Sequence, residues 1–422
     1  MRILVLGSNA GSDFICQQLL KESNVEKVYH YDGYEIAEPT ERYVPLTYLG
    51  NLAHNIPTNI FEFLDTVDVD LIIPVIHHYQ LLHKLRAKIK EKNIPTLMPS
   101  ATNAMLEWSK ITGKKLLNQL GIPTPNYQIM KKDVLLAEFF NIPRPFVLKY
   151  EQDYRYGLQT IIVNNDNHEE YYQYLLSMEG TKRFTTDIHG EFVDLHFIIE
   201  EFVVGTREIS YHALCNSQGW RYIGSARDYK KRYEGDIGIN TAGMGAYSPV
   251  NNVDTCISEY VDKILNHLRD TGDPYIGFLY LGIMIVNDVP YVLEINTRAG
   301  DPEIQPIIRT IKNNLADLFF AAASDKIIPE IEFSDNTAVS IRIVNEIYDT
   351  SIQQKKTGFK SPDLWPLPGN IQMAISYNRR LLNCILTSEG NTIEEASNIL
   401  YKFLENKPMY KFTYRKDIGY LK

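Results

Sequence analysis

Cysteine is scarce in this chain. Cys16, Cys215, Cys256 and Cys384 are its four in 422 residues, and no two are spaced as Cys-x-x-Cys. Such spacing draws neither a zinc ribbon nor a dense disulfide framework, so reduced structural thiols are expected. Long apolar runs are also missing, since no stretch approaches the ~18 consecutive apolar residues of a membrane span. Positive charge is in deficit: 43 Lys+Arg stand against 52 Asp+Glu, a formal net charge of -9. Without a long basic run, an unspecific electrostatic grip on nucleic acid is not expected. The opening residues pass from a short apolar run into a Gly/Ser/Asn turn without the h-region and cleavage site of a secretory leader, and a cytoplasmic location is the default. No repeat or low-complexity tract is present.

What the chain does have is 44% AVILMFWYC against 23% DEKR. That is a globular balance, and the length calls for two to four folding units at roughly 100–200 residues each. Ile3–Leu6 reads as a buried strand, followed by a Gly7–Ser12 turn, a helix over Asp13–Leu20 and a strand over Val25–Tyr31. A further strand at Asp70–Ile76, a helix over His77–Glu91 and a short strand at Thr96–Met98 continue the alternation, the pattern of an open, mostly parallel sheet. A strand turning into a helix at Gly7–Ser12 points N–H groups at an anion, but the spacing from Gly7 to Gly11 is not GxGxxG, and a plain βα turn accounts for it equally. A helical pattern over Ala101–Gly121 ends at Gly121-Ile-Pro-Thr-Pro. Beyond it lies an α+β segment with strands at Phe146–Lys149, Thr160–Asn164, His196–Val203 and Ile209–Asn216 and a helix over His168–Met178. Helices are expected over Val253–Asp270 and Glu303–Ser324, a hairpin with its tip at Asn287-Asp288, strands at Ala338–Val344, Ile371–Tyr377 and Leu381–Ser388, and a last helix over Thr392–Asn406. The expected units are 1–100, 101–330 and 331–422.

Two stretches carry chemistry. Glu294 and Asn296 are two apart on one strand and share a face. Two oxygen donors suit Mg2+, which keeps several waters and shares phosphate oxygens, although a solvated strand face would use the same residues. Arg298 and a helix start after Asp301-Pro302 lie just beyond, the parts of a site for transferring phosphoryl charge. The second stretch, Asp228–Pro249, mixes charges of both signs with Gly243 and Gly245 and reads as a long functional loop without secondary structure.

The stretches NTAGMGAYSP (Asn240–Pro249) and EINTRAGDPEIQP (Glu294–Pro306) closely resemble the phosphoribosylamine–glycine ligases of the ATP-grasp superfamily. PSATNAMLEWSK ending at Lys110, GIPTPNY (Gly121–Tyr127), IIEEFVVG (Ile198–Gly205), DYKK (Asp228–Lys231) and YRKDIG (Tyr414–Gly419) extend the likeness over most of the chain. The resemblance implies an ATP-grasp fold, with an open α/β N-terminal domain, a two-part nucleotide clamp of α+β character and a small C-terminal α/β domain. It implies that Lys110 and Lys149 contact ATP phosphates, that Glu200, Glu201 and Val203 line the adenine side, and that Glu208 meets the ribose. Glu294 and Asn296 would bind Mg2+ or Mn2+. Asp228, Lys230 and Arg298 would act at the carboxylate and acyl phosphate, with Asn240, Thr241, Gly243, Met244, Gly245 and Asp301 shaping the substrate site. The implied activity is ATP-dependent amide formation from a small carboxylate and an amine through an acyl phosphate, catalysed by positioning and charge neutralisation rather than by a side-chain nucleophile. Neither nucleic acid nor membrane is expected as a partner.

The chain departs from that family at the acceptor side and the lid. Where the family has Gly-Arg-Glu-His-Ala after the first strand, this chain has Ser8-Asn-Ala-Gly-Ser-Asp-Phe14, so Ser8, Asn9 and Gly11 are the substrate-side candidates there. Its Gly-Pro-Glu motif appears as Pro74-Val-Ile-His77-His78-Tyr79. The glycine-rich lid becomes Gln152–Gln159, where Arg155 replaces the loop lysine and Gly157 is the remaining flexible position. Ala242 stands at the first glycine of NTGGMG, and Asn345–Pro368 lacks the expected glycines. Relaxed discrimination for ribose follows, with weak use of phosphoribosylamine and glycine and better use of a different amine. The alternatives left open are a paralogue joining another carboxylate and amine, and a nucleotide-binding protein without catalysis.

Overall fold

The first hundred residues alternate as the sequence suggests. In the computed structural model β1 (Arg2–Leu6), β2 (Lys27–Tyr31), β3 (Tyr43–Leu46) and β4 (Leu71–Pro74) form a parallel sheet in the order β3-β2-β1-β4. Helix α1 (Ala10–Leu19) connects β1 to β2, α2 (Thr58–Thr66) lies between β3 and β4, and α3 (Tyr79–Glu91) follows β4. The structure describes residues 1–31, 40–46, 58–75, 79–151, 160–177, 184–186, 192–194, 196–251, 253, 256–345, 367–378, 381–407, 409 and 412–420. Arg155, Gly157, His77, His78 and most of Asn345–Pro368 therefore lie outside the described residues. The expected strand at Thr96–Met98 is reduced to one parallel bridge between Ile72 and Thr96.

The expected helix over Ala101–Gly121 is two helices, α4 (Ala101–Trp108) and α5 (Lys110–Gln119). Ser109 breaks it with an extended backbone, and its hydroxyl caps α5 by accepting from Thr112 N at 3.3 Å. The Lys110 amide, freed from the helix ladder, donates to Glu151 O at 2.8 Å. A serine cap followed by its own helix is a signal that helical periodicity alone hides.

An antiparallel sheet follows in the order β5-β10-β6-β7, from β5 (Tyr127–Lys131), β6 (Phe146–Tyr150), β7 (Thr160–Val163) and β10 (His196–Glu201). Helices α6 (Lys132–Glu138) and α7 (His168–Ser177) accompany it, and the short strands β8 (Phe184–Thr186) and β9 (Phe192–Asp194) pair with each other. Its core is Leu135, Phe139, Phe146, Leu148, Phe197 and Leu175 with their neighbours.

Among the described residues the largest sheet has nine strands. It comprises β11 (Arg207–Asn216), β12 (Gly219–Asp228), β15 (Gly245–Ser248), β16 (Gly277–Val286), β17 (Val289–Asn296), β18 (Thr337–Asn345), β19 (Ile371–Asn378), β20 (Leu381–Gly390) and β21 (Phe412–Thr413). The order β17-β16-β11-β12-β15-β18-β20-β19 joins strands before and after residue 330, with β21 paired to β18. The expected loop over Asp228–Pro249 is overturned: β13 (Lys231–Tyr233) and β14 (Ile237–Asn240) form a hairpin inside it, and β15 closes it. Short strands separated at Gly235 and Gly243, with Gly238 inside β14, carry too little periodicity to be read from sequence.

Helix α8 (Cys256–Asp270) buries Ile257, Tyr260, Val261, Ile264 and Leu268, one stripe at helical spacing, in the core beneath this sheet. The expected helix over Glu303–Ser324 is interrupted into α9 (Ile304–Arg309) and α10 (Leu315–Ala323). Lys312 N donates to Glu332 O at 2.8 Å there, and Asn314 caps the second helix. Helix α11 (Ile393–Glu405) lies on β20 and β18. Helix α1 ties the first unit to the long sheet: Gln17 donates to Met373 O at 2.8 Å, and Asp13 accepts from Ile375 N at 2.9 Å. Among the described residues no helix is long and apolar enough to cross a membrane.

Because Ile341 is fully buried where β18 bridges Gly245 of β15 and Leu386 of β20, Ile341→Ala should cost about 2–5 kcal/mol in denaturant unfolding, the range for truncating a well-packed core isoleucine. A loss below about 0.5 kcal/mol would mean the strand is not the seam between the two parts of the sheet.

Candidate active site

Pairing across β11, β16 and β17 lays out the floor of the site. His212 is opposite Tyr280, which is opposite Asn296; Ser210 is opposite Gly282, which is opposite Glu294. Alternation puts Glu208, Ser210 and His212 on one face of β11, and the rows carry that face across to Glu294 and Asn296. Gly282 is required in its row because a Cβ there would come within 3.0 Å of Glu294 Cγ.

Facing this floor, Lys110, Lys114, Lys149, Glu107, Glu200, Glu294 and Asn296 line one pocket with Leu106, Leu293 and Ile295. Buried Glu200 on β10 takes Lys149 at 2.8 Å on one oxygen and Lys114 at 3.1 Å on the other. Lys114 also donates to Thr124 Oγ1 at 2.7 Å, and Thr124 in turn to Val292 O. Burial first, then the Lys149 charge, pushes Lys114 down to about 8 in spite of Glu200. Glu294 is driven the other way. Burial would raise it, but Lys230, Lys110 and Lys149 outweigh burial and hold its carboxyl at about 2. An ionised carboxylate and the Asn296 oxygen on one face fit a hard divalent cation that retains its waters. Among the described residues no cluster of three or more His, Cys, Asp or Glu is placed to hold a metal, so a cation here would rely on these two donors, water and phosphate.

The neighbouring half of the site is acidic. Lys230 ion-pairs Glu208, and burial is outweighed by Glu208, Glu294 and Asp228, which raise the lysine well above its ordinary range. Asp228 and Glu303 are pushed up, each chiefly by burial; the Glu303 charge adds to the rise at Asp228, whose Oδ1 has no hydrogen-bond partner among the described residues. His212 stacks on Tyr280 at 4.5 Å, is held neutral by burial and then by Arg298, and among the described residues has no hydrogen-bond partner on either ring nitrogen. Arg298 donates from Nε to Glu107 Oε1 at 3.0 Å, while Glu107 Oε2 accepts from Thr297 N at 2.7 Å, so one buried glutamate fixes the whole Thr297-Arg298 turn.

The Asn240–Gly245 loop is fastened on top. Thr241 donates twice to Lys230 O, from N at 2.7 Å and Oγ1 at 2.8 Å, and buried Met244 donates from N to Tyr229 O at 2.8 Å. Gly243 has φ +100, and a Cβ there would meet Pro302 Cδ at 2.4 Å and Asp228 Oδ1 at 2.6 Å. Asp301 is held by Arg342 at 3.2 Å and Gln305 at 2.8 Å. A Cβ on Gly11 would lie 3.7 Å from that of Asp301, so the first βα turn abuts this corner. In that turn Asn9 accepts from Ser12 N and donates to Val75 O, and the Ser12 hydroxyl donates to Asn9 O. These side chains are consumed internally, leaving the turn with backbone donors; Ser8 lies beside it.

Lys110, Lys149, Glu200, Glu294, Asn296, Asp228, Lys230, Glu208, Arg298 and the 240–245 loop thus converge. Glu201 is exposed at the far end of β10 and accepts from Asn126 N at 2.9 Å and Nδ2 at 3.0 Å, and Val203 is half-buried beyond the strand. Sequence reasoning passed over Glu107, Lys114, His212, Tyr280 and Glu303. Lys114 had a signal, four residues after Lys110 on the same helix face. His212 and Tyr280 had none, because their roles depend on cross-strand register.

Residues 108–304 match the family described as phosphoribosylglycinamide synthetase, ATP-grasp (A) domain. Over 434 residues the chain is 28% identical to a phosphoribosylamine–glycine ligase of Listeria innocua, covering 99% of each. It is 26% identical over 441 residues to one of Chlorobaculum tepidum, again with 99% of each covered. Among solved structures, a phosphoribosylamine–glycine ligase of Thermotoga maritima matches with TM-score 0.76 and 24% identity, over 99% of this chain and 100% of that one. A biotin carboxylase of Campylobacter jejuni matches with TM-score 0.67 and 15% identity, over 98% and 91%.

A lysine that releases its proton near pH 8 when folded and near ~10.4 when unfolded makes the unfolded chain the better proton binder between those values. The stability of the wild type relative to Lys114→Met should therefore rise as pH climbs from about 8 to about 10, read from urea melts at several pH values. A difference that stays flat or falls over that window would contradict the burial assigned to Lys114.

Proposed function

The chain belongs to the phosphoribosylamine–glycine ligase family of ATP-grasp proteins, and from this premise we propose that it joins glycine to phosphoribosylamine at the expense of ATP, releasing ADP and phosphate. The observation that carries the reading is the convergence of Lys110, Lys114 and Lys149 on Glu294 and Asn296 in one pocket, with Arg298 held beside it by Glu107.

The three lysines supply the positive field for the phosphates of ATP, with Glu200 fixing two of them in place. Glu294 and Asn296 are the residues that would hold Mg2+, which would neutralise phosphate charge and orient the terminal group. Arg298 faces the carboxylate of the amino acid, and the acidic pair Asp228 and Glu303 suits its ammonium group. A carboxylate oxygen attacks the γ-phosphorus while the bond to the bridging oxygen breaks and ADP leaves. The amine then attacks the carbonyl carbon of the acyl phosphate, phosphate departs with the bonding pair, and the nitrogen loses a proton. Lys230 and the N–H groups of the Asn240–Gly245 loop are placed to hold the oxygens that gain charge in both steps.

A second reading keeps the chemistry and changes the amine. The first βα turn has neither a cation nor an acid free for a phosphorylated ribose, because Asn9 and Ser12 bond within the turn and to Val75. Under this reading the acceptor is another primary amine.

The expected result with ATP, Mg2+, glycine and phosphoribosylamine is ADP formation that requires the amino acid. Glu294→Gln should lower kcat/KM by about a hundredfold or more with little change in melting temperature. Substituting other primary amines separates the two readings. Release of AMP and pyrophosphate, or a Glu294→Gln variant with ordinary turnover at limiting Mg2+, would refute the proposal.

A further inference from the structure

The C-terminal segment makes contacts that the reaction as described does not use. Arg415 is 1% exposed. Its Nε donates to Asp417 Oδ1 at 2.8 Å and its Nη2 to Asp417 Oδ2 at 2.7 Å, a two-pronged grip. Nη1 donates to Lys231 O at 2.9 Å, Nη2 meets Asp236 Oδ1 at 2.9 Å, and the guanidinium lies 5.1 Å from the centre of the Tyr229 ring. The backbone adds to the grip. Gly235 N donates to Asp417 Oδ2 at 2.9 Å, Lys416 N to Glu234 Oε1 at 3.2 Å, and Gly419 N to Tyr229 Oη at 3.2 Å.

Apart from Asp417, which lies on the C-terminal segment itself, those partners belong to the hairpin β13–β14 or to the residues leading into it. Among the described residues the hairpin forms a sheet of its own two strands, and Tyr233, Ile237 and Ile239 on it are exposed. An isolated two-stranded hairpin is marginal in water, and a buried arginine is stabilising only when its donors are met. The ends of this hairpin are parts of the site. Lys230 precedes Lys231, which pairs with Asn240, and Thr241 folds back onto Lys230 O.

We propose that Arg415 is a positioning residue for the ligation: through Asp417, Asp236 and Lys231 O it fixes the hairpin that aligns Lys230 and the Asn240–Gly245 loop over the carboxylate substrate. Its role rests on the ligase reading above. Among the described residues, none of the partners named for Arg415 lines the nucleotide pocket, so its effect falls on the carboxylate side of the reaction and not on ATP.

The test compares Arg415→Met, Arg415→Lys and Asp236→Asn with the wild type, using glycine-dependent ADP formation and amide hydrogen exchange over residues 231–241. For Arg415→Met, kcat/KM for glycine should fall about a hundredfold, the loss expected from a misplacement of about 1 Å, with KM for ATP within about twofold. Added methylguanidinium should restore part of the activity, Arg415→Lys should retain more than Arg415→Met, and the hairpin amides should exchange faster in both. Ordinary kinetics, or equal losses toward ATP and glycine without rescue, would overturn the proposal. Should Arg415→Met fail to fold, Asp236→Asn decides, since its carboxylate is exposed: a loss of about threefold or more in kcat/KM for glycine supports the clamp, and unchanged kinetics refutes it. If the wild type itself forms no ADP with glycine, the ligase reading fails while the clamp is still read from exchange, upheld by faster hairpin amides in the variants and overturned by unchanged ones.

Discussion

Glu200, gripped on either side by Lys149 and Lys114 deep between two sheets, is the interaction on which the rest of the architecture rests. Three charges taken out of water are costly unless each is met by partners of good geometry. The fold gathers the three from separate elements, Lys149 from β6, Glu200 from the adjacent β10 and Lys114 from α5, and adds oxygens from Thr124 and Leu293 as acceptors for the two lysines. One net positive charge remains in that trio, with Lys110 close by, and it is directed at Glu294. Lys230, Lys110 and Lys149 together keep the Glu294 carboxyl ionised against burial, so two of the lysines that would receive an anion also serve the cation side of the site.

The acidic half follows a different logic. Half-buried Asp228 and buried Glu303 are close enough to couple and both are pushed up, whereas Lys230 is tied to Glu208. Carboxylates that resist ionisation together are poor structural cement and good receptors for a bound cation or ammonium group. Keeping them in place requires close backbone approach, which is why Gly243 packs on Pro302 and Asp228 with no room for a Cβ. It also requires that the loop above be fastened from outside, which the C-terminal segment does through Arg415.

Much of this was legible in the sequence because it is local. The first strand and turn, the Glu294–Asn296 face, the Asn287-Asp288 hairpin tip and the stripe of α8 each rest on periodicity or on turn residues; both tip residues have positive φ, at 49° and 62°. What escaped depends on partners far along the chain. Ser109 ends a helix where its neighbour's amide finds Glu151, the Asp228–Pro249 stretch meets its distant partners in β18 and in Arg415 and Asp417, and Glu107 matters because Thr297 and Arg298 return to it 190 and 191 residues later. The nine-stranded sheet could not be anticipated for the same reason, since its seam pairs Gly245–Ser248 with Ala338–Ile341. The family likeness supplied roles for residues whose neighbours no spacing rule could name.

The central claim is that this assembly of charges activates a carboxylate by phosphorylating it. Turnover with ATP and glycine labelled with 18O in its carboxylate puts that to the most direct test. The account predicts that one labelled oxygen per turnover appears in inorganic phosphate, carried there when the amine displaces it from the acyl phosphate. Label found in AMP, or phosphate free of label while amide accumulates, would contradict it.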